Sequence, residues 1–503
     1  MSSPELDLRG ARILVIGAGI MGAGIAQVAA QAGHEVALFD AREGLAAQAR
    51  SKLAATLDSL VAKGRLDAGA AATAIARIEP ITALEQAGDA GLVIEAVLES
   101  LEVKRALLKQ LEMLVAPQCV LASNTSSLSI TALANGLSHP ERVVGMHFFN
   151  PVPLMKLVEV VSGLRTATRV ADAVFALGNS WGKVAVHTRS TPGFIVNRIA
   201  RPYYAESLAM LQEQAAEPHI LDACLRSAGF RMGPCELMDL IGHDTNFAVT
   251  TSVYEANFFD KRFVPSLVQR ELVDAGLLGR KSGRGFYDYG EEGSRPQISP
   301  FSPSDAPTAS AMRVVGMGRV ADHMAEALSK AGCSFSRDTA ADWIGLEADG
   351  AQLRLTDGRA ATAIGDEVAV FDLPLAFNMG AALAWAPSAR ATDSWCTTAS
   401  RWLRVLGFNP QRLTDTPGLV VARTVAMLIN EAADAVHQGV CSASGADAAM
   451  KLGVNYPAGP FEWLASWSPA GVLGVLDALD DQYRGERYRA SPWLRQRAWR
   501  EAP

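Results

Sequence analysis

Apolar positions change their period several times along the chain. Arg12 to Ile16 is a short β-rich run, Ala23 to Ala32 is helix-forming, and Glu35 to Asp40 is a second strand ended by an acid. Gly33 stops the helix between them. Leu45, Ala49, Leu53, Leu57 and Leu60 keep helical spacing, with Arg50, Lys52 and Asp58 off that face, which predicts a long amphipathic helix over 43–62. Gly91 to Ala96 and Val120 to Ser123 read as buried parallel strands, separated by a helix around 101–115. This alternation predicts a doubly wound α/β domain over residues 9–192. From Pro192 and Gly193 the signals turn helical, giving a second domain over 193–290. Residues 291–311 are rich in Gly, Ser and Pro and read as an exposed linker.

The second part repeats the first at lower fidelity. Thr191-Pro192-Gly193 recurs as Thr416-Pro417-Gly418, and the same offset of 225 pairs Arg198 with Arg423, Glu206 with Glu431 and Asp222 with Asp447. After one inserted residue, Gly233-Pro234 pairs with Gly459-Pro460 and Glu236 with Glu462. An internal duplication of the helical domain is the best account, with the second copy over 416–500. Residues 312–415 echo the start of the chain: Val314-Val315-Gly316-Met317-Gly318 resembles Val15-Ile16-Gly17-Ala18-Gly19. Ala321 replaces the third glycine, Asp322 follows it, and Thr339 stands where Asp40 would be. This predicts a reduced Rossmann-like domain that binds no dinucleotide. The duplication also predicts that the second helical copy docks on the first, inside one chain.

Composition narrows the class. Of 503 residues, 49% are apolar and 20% charged, an ordinary globular balance with enough apolar material for full cores. At ~150 residues per domain the length allows about three or four domains. A formal net charge of -7 gives no ground for nucleic acid or an anionic membrane as partner. The most apolar stretch, Ile13 to Ala26, falls short of the ~20 residues a membrane span needs. Six scattered cysteines show no CxxC pair and no zinc spacing, so free thiols in a reducing cytoplasm, and no metal, are expected. Met1 to Gly10 lacks a basic segment followed by an apolar one, which argues against secretion.

Candidate chemistry begins at Gly17-x-Gly19-x-x-Gly22, which follows a strand and opens a helix. The first glycine permits a tight turn, the second lets the backbone approach a pyrophosphate, and the third packs helix on strand. Ile20 and Met21 lie within this turn. Asp40, 18 positions after the last glycine, would accept from the adenosine ribose and repel a 2′-phosphate, which favours NAD over NADP. Arg42 argues the other way. A second set follows: Ser123-Asn124-Thr125-Ser126-Ser127, His147-Phe148-Phe149-Asn150-Pro151 and Lys156-Leu157-Val158-Glu159. If the strands ending in His147 and containing Glu159 return side by side, the two side chains meet. A carboxylate on one imidazole nitrogen fixes the tautomer and makes the other a better base, as needed to deprotonate a hydroxyl while hydride leaves to NAD.

The sequence resembles the L-3-hydroxyacyl-CoA dehydrogenase family over nearly its whole length. The resemblance is carried by Gly17 to Gly22, Ser123 to Ser127, His147 to Lys156 with Glu159, Thr191 to Arg198, and Lys281-Ser282-Gly283-Arg284-Gly285-Phe286-Tyr287. Asn179 to Lys183 and Arg198 to Tyr204 resemble its long bacterial branch, which acts in phenylacetate breakdown. The resemblance implies NAD-dependent oxidation of (S)-3-hydroxyacyl-CoA, with 3-hydroxyadipyl-CoA as substrate. It implies His147 as general base, Glu159 as its carboxylate, Ser126 and Asn197 on the substrate oxygens, and Asn150 supporting the site. Glu99, Lys104 and Asn124 fall at cofactor positions, and Thr56 and Lys63 where the family meets the coenzyme A tail. Its helical domains pair, as in a homodimer. Arg198, Arg201 and Lys156 are candidates to meet a distal acyl carboxylate. Ala422 replaces the site asparagine in the second copy, so one active site per chain is expected. 3-Hydroxybutyryl-CoA remains an alternative substrate, as do a hydroxy acid without CoA and a structural protein that kept the fold.

Overall fold

A computed structural model describes residues 6–290, 293 and 296–501. Met1 to Glu5 and four residues of the expected linker (291, 292, 294 and 295) lie outside the described residues. The chain forms two compact units, one of residues up to Arg198 joined by Gln438–Val454, the other of Ile199–His437 and the chain from Asn455 onward.

The first unit is built on eight strands: β1 (Ile13–Ile16), β2 (Val36–Phe39), β3 (Ile78–Pro80), β4 (Leu92–Glu95), β5 (Val120–Ser123), β6 (Val143–Phe148), β7 (Leu157–Ser162) and β8 (Val184–Arg189). Their order is β3-β2-β1-β4-β5-β6-β7-β8. The first six are parallel, β7 turns back antiparallel to β6, and β8 runs parallel to β7. Alternate residues of β1 feed opposite cores. Ile13 and Val15 pack with the helices Ile20–Gln31, Leu45–Ala62 and Thr168–Ser180, whereas Leu14 and Ile16 pack with Leu101–Leu114. The sequence pattern missed the helix Ala68–Ala76, whose run of small residues shows little amphipathic contrast; Asp67 caps it by accepting from the Ala70 amide at 2.9 Å.

In the second unit, seven strands form a mixed sheet: β9 (Met312–Val315), β10 (Ser336–Asp338), β11 (Gly345–Ala348), β12 (Ala351–Leu355), β13 (Val368–Phe371), β14 (Ala381–Pro387) and β15 (Phe408–Arg412). The order is β10-β9-β11-β12-β13-β14-β15. Helices Arg319–Lys330 and Asp393–Val405 contribute Met324, Leu328, Trp402 and Leu403 to its core. Residues 296–311 are not a free linker. The Ser299 carbonyl accepts from Asn409 at 2.8 Å, that of Ser302 from Arg404 at 3.3 Å, and that of Asp305 from Arg401 at 3.2 Å.

The duplication is visible in backbone geometry. Gly193 and Phe194 have φ of 76° and 47°, and Gly418 and Leu419 have φ of 71° and 52°. The amides of Arg198 and Arg423 each donate to the glycine carbonyl at 3.1 Å. Within the second unit, helix Arg201–Gln212 of the first copy packs on Val421–His437 of the second. Buried Arg423 donates to Glu206 at 2.8 Å and to Glu213 at 3.1 Å across that pairing. This is the in-chain docking that the duplication predicts.

Each unit also holds a helix from the other copy's sequence. Ala443–Gly453 lies on β7 and β8 of the first unit. Pro218–Ser227 lies on β14 of the second, where the Ser227 hydroxyl accepts from the Ala382 amide at 2.9 Å. Among the described residues, no helix is long and apolar enough to cross a membrane, and no group of three or more His, Cys, Asp or Glu is arranged to hold a metal.

Candidate active site

Strand β1 delivers the glycine turn. Gly17 has φ of 100°, and a Cβ there would lie 2.6 Å from the Ala96 carbonyl oxygen. A Cβ on Gly22 would lie 1.7 Å from the Gly17 oxygen, so helix and turn meet only through glycine. Gly19 differs: it has nothing within 4 Å of a Cβ, which leaves its backbone open to an approaching phosphate. Ile20 is exposed and Met21 half-buried. The Asp40 carboxylate accepts from the Ala18 amide at 2.8 Å, and from the Arg42 amide at 2.9 Å and guanidinium at 3.2 Å. Burial works to raise this carboxyl, but those donors outweigh it and hold it below the ordinary carboxylate range. Arg42 is thus paired with the acid it would have opposed. A cavity of about 780 Å³ opens here, lined by Gly17, Gly19, Asp40, Arg42, Leu84 and Val97. An ionised carboxylate, an open glycine and a helix start beside one apolar cavity fit an adenine dinucleotide.

Beneath the ends of β4 and β5 lies a charge network. Lys104 is 1% exposed, and its ammonium donates to both Glu95 oxygens at 3.1 and 2.9 Å and pairs with Glu99 at 3.3 Å. Ser123 donates to Glu95 in a short hydrogen bond. One oxygen of Glu99 gathers the loop that follows β5: Thr125 Oγ1 at 2.6 Å, the Ser126 amide at 3.0 Å, and the Ser127 hydroxyl and amide at 3.0 and 3.2 Å. Burial works to raise Glu99, yet Thr125, Lys104 and the loop donors hold it below the usual range. Burial pushes Glu95 up in spite of Lys104. Lys104 is therefore an interior ammonium that fixes Glu99, and Glu99 fixes the loop carrying Ser126.

The antiparallel turn from β6 to β7 sets His147 directly opposite Glu159. His147 Nδ1 lies 2.5 Å from Glu159 Oε2. The other carboxylate oxygen accepts from the Ile195 and Val196 amides at 3.1 and 3.0 Å. Glu159 is fully buried and His147 is 6% exposed, flanked by the rings of Phe149 and Phe194 at 4.5 and 5.8 Å. Asn197 follows those two amides, and its side chain donates to the Ser126 carbonyl at 3.4 Å. His147, Glu159, Ser126 and Asn197 thus converge. Asn124 ties the strand ends, its Oδ1 accepting from the Phe148 amide at 2.9 Å. Asn150 is exposed at the start of the β6–β7 turn.

Comparison with known proteins agrees with this geometry. Residues 12–191 match the NAD-binding domain of 3-hydroxyacyl-CoA dehydrogenase, and both 193–289 and 418–501 match its C-terminal domain. Residues 353–417 match the 3-hydroxybutyryl-CoA dehydrogenase reduced Rossmann-fold domain. The 3-hydroxyadipyl-CoA dehydrogenase of Escherichia coli K12 is 44% identical over 491 residues, covering 97% of this chain and 98% of that one. The chain belongs to the 3-hydroxyacyl-CoA dehydrogenase family. A crystal structure of 3-hydroxybutyryl-CoA dehydrogenase from E. coli K12 superposes with a TM-score of 0.87 at 44% identity, covering 98% of each chain. The mitochondrial hydroxyacyl-coenzyme A dehydrogenase of Sus scrofa is 38% identical over 285 residues, covering 55% of this chain and 90% of that one.

This dehydrogenase uses NAD and oxidises 3-hydroxyacyl-CoA thioesters. Thr56 and Lys63 are both exposed on and just beyond the helix Leu45–Ala62. Of the three cations weighed for a distal carboxylate, Arg198 is buried and donates to Gln438 at 2.8 Å. Arg201 is buried in the second unit, 3.1 Å from Thr250 Oγ1 and over the Tyr204 ring. Lys156 is exposed just before β7. Sequence reasoning missed Glu95 and the two amides on Glu159. An acid closing the apolar run Leu92–Glu95 was the available signal for the first; the amides carry no side-chain signature.

Proposed function

We propose that the enzyme oxidises 3-hydroxyadipyl-CoA, with His147 as general base and Glu159 as the carboxylate that orients it. The contact of 2.5 Å between His147 Nδ1 and Glu159 carries this reading. Glu159 is itself anchored on two backbone amides, so it accepts the Nδ1 proton from a fixed place. That leaves the lone pair on Nε2, which takes the proton of the substrate's 3-hydroxyl. The imidazolium so formed stays beside a buried carboxylate, and such a base contributes ~10²–10⁴-fold. NAD, when bound, supplies the hydride acceptor. Ser126 and Asn197 hold the substrate oxygens, with Asn150 supporting them. The glycine turn, Asp40 and Asn124 hold the cofactor, with Glu99 and Lys104 behind them. Thr56 and Lys63 receive the coenzyme A tail. Six thiols without a disulfide among the described residues suit a cytoplasmic enzyme.

The dicarboxylic acyl group is supported by the full-length relation to the E. coli 3-hydroxyadipyl-CoA enzyme. A short acyl group is the second reading, because the solved E. coli relative carries the name 3-hydroxybutyryl-CoA dehydrogenase. Steady-state rates with both thioesters and NAD decide between them. The expected outcome is a higher kcat/KM for 3-hydroxyadipyl-CoA. In the same assay His147→Gln is expected to lower turnover ~10³-fold with NAD affinity kept.

A further inference from the structure

By sequence, residues 438–454 belong to the second helical copy, yet they are built into the first unit. Three observations place them against the His147–Glu159 pair. The end of the β8 strand reaches them: the Arg189 amide donates to the Val440 carbonyl at 2.9 Å, and Arg198 donates to Gln438 at 2.8 Å. The half-buried Cys441 thiol is pushed up to about 12, first by burial and then by the charge of Glu159, which sets that carboxylate in its neighbourhood. Gly453 closes the helix Ala443–Gly453 on the wall behind the pair. A Cβ on Gly453 would lie 2.7 Å from Leu157 Cδ2, 2.9 Å from Val196 Cγ2 and 3.7 Å from Phe149 Cε1.

Each of those three neighbours acts on the pair. Leu157 is two residues before Glu159 on β7 and so shares its face of the strand. The Val196 amide donates to Glu159 at 3.0 Å. The Phe149 ring sits 4.5 Å from the His147 ring. Gly453 is a helical residue outside the set of positive-φ glycines, so its conformation does not call for glycine. The missing side chain is needed for the close approach itself.

We infer that Gly453, at the end of the helix borrowed from the second copy, is a positioning residue for the catalytic pair: it lets that helix press Leu157, Val196 and Phe149 into the places that hold Glu159 and His147. The inference rests on the proposed roles of those two residues. It also gives the catalytically silent half a part in the reaction.

The test is Gly453→Val, with Gly453→Ala as the smaller step and His147→Gln as reference, all in the full chain. A misplacement of about an ångström costs ~100-fold, so Gly453→Val is expected to lose about 10- to 100-fold in kcat. KM for NAD is expected to stay within about twofold, and the acid limb of the kcat/KM pH profile to move. Gly453→Ala, which adds one carbon at the same contacts, is expected to lose less kcat than Gly453→Val. Parental kcat and pH profile in Gly453→Val overturn the inference. So does a loss of kcat in Gly453→Ala as large as that in Gly453→Val, or one matched by an equal loss of NAD binding. If His147→Gln stays active, the reading of the pair itself has failed; if it is inactive while Gly453→Val is parental, only the positioning role falls.

Discussion

His147 and Asp372 occupy equivalent places in the two sheets. The offset of 225 that links the helical copies also carries His147 to Asp372 and Glu159 to Ala384, and the strand register agrees. His147 faces Glu159 across β6 and β7, and the Asp372 amide donates to the Ala384 carbonyl at 2.9 Å just beyond the β13–β14 ladder. In the first half Glu159 anchors the Ile195 and Val196 amides and orients a histidine. In the second half Asp372 takes over the anchoring alone, accepting from the Val420, Val421 and Ala422 amides at 2.9, 2.6 and 2.9 Å. The start of the helical domain needs a buried carboxylate in both halves, because its amides have no other partner there. On the proposed mechanism, the histidine is needed only where a proton must move.

The two glycine turns differ in backbone as well as in composition. β1 is flanked by parallel strands on both sides, β2 and β4. β9 has parallel β10 on one side but antiparallel β11 on the other. The second turn therefore lacks the parallel neighbour that flanks the first, although a Cβ on Gly316 would lie 2.6 Å from the Trp343 carbonyl just as one on Gly17 would from that of Ala96. Gly318 is left-handed at φ of 93°, whereas Gly19 is extended at φ of -71°. Asp322, beside the second turn, is paired with Arg337 at 3.0 Å. The reversed strand and the left-handed Gly318 are the backbone differences between the two turns.

Glu159→Ala installs in the first half the residue found at that place in the second. Turnover is expected to fall ~10³-fold, and the orphaned amides to cost about 2 kcal/mol in urea unfolding. Parental turnover would mean that the two halves differ by something other than this pair.

Asp372→Asn probes the anchor that replaced it. Burial raises the Asp372 carboxyl from 3.8 to about 6, against the pull of the Val421, Ala422, Leu373 and Val420 amides. The folded protein then binds this proton more tightly than the unfolded chain. Its contribution is complete below the unfolded value and is lost as pH rises through about 6. The stability advantage of the parent over Asp372→Asn is thus expected to shrink by about 2 kcal/mol between about pH 4 and about pH 7. Turnover per folded molecule stays unchanged. A gap independent of pH would refute the anchoring role assigned to a raised carboxyl.

The smallest effect is none at all. Ala321→Gly/Thr339→Asp restores the glycine and the acid to the second turn. Calorimetric titration is expected to give one NAD per chain, as in the parent. A second equivalent would show that side chains alone separate the two turns.

Much of this site was legible because its signals are local. The glycine spacing, Asp40 at the end of β2, and the repeated Thr-Pro-Gly turn each depend on a few adjacent residues. The contact of His147 with Glu159 was inferable once Pro151 and Pro153 forced a turn between two apolar runs. Glu95 and Lys104 were less legible, since a lysine on an amphipathic helix ordinarily points to water; only packing reveals that Lys104 faces inward between two acids. Residues 296–311 read as a linker because side-chain pattern says nothing about carbonyls that Asn409 and Arg404 hold.

The family, the cofactor class, the pairing of His147 with Glu159 and the duplication were readable from residue type and spacing along the chain. The direction of β11, the anchoring of amides by Asp372 where the first half uses Glu159, and the seating of Gly453 against Leu157, Val196 and Phe149 came from the folded chain. Those depend on which distant segments share one interior, where burial and unmatched backbone amides set the energy, and no local pattern encodes that choice.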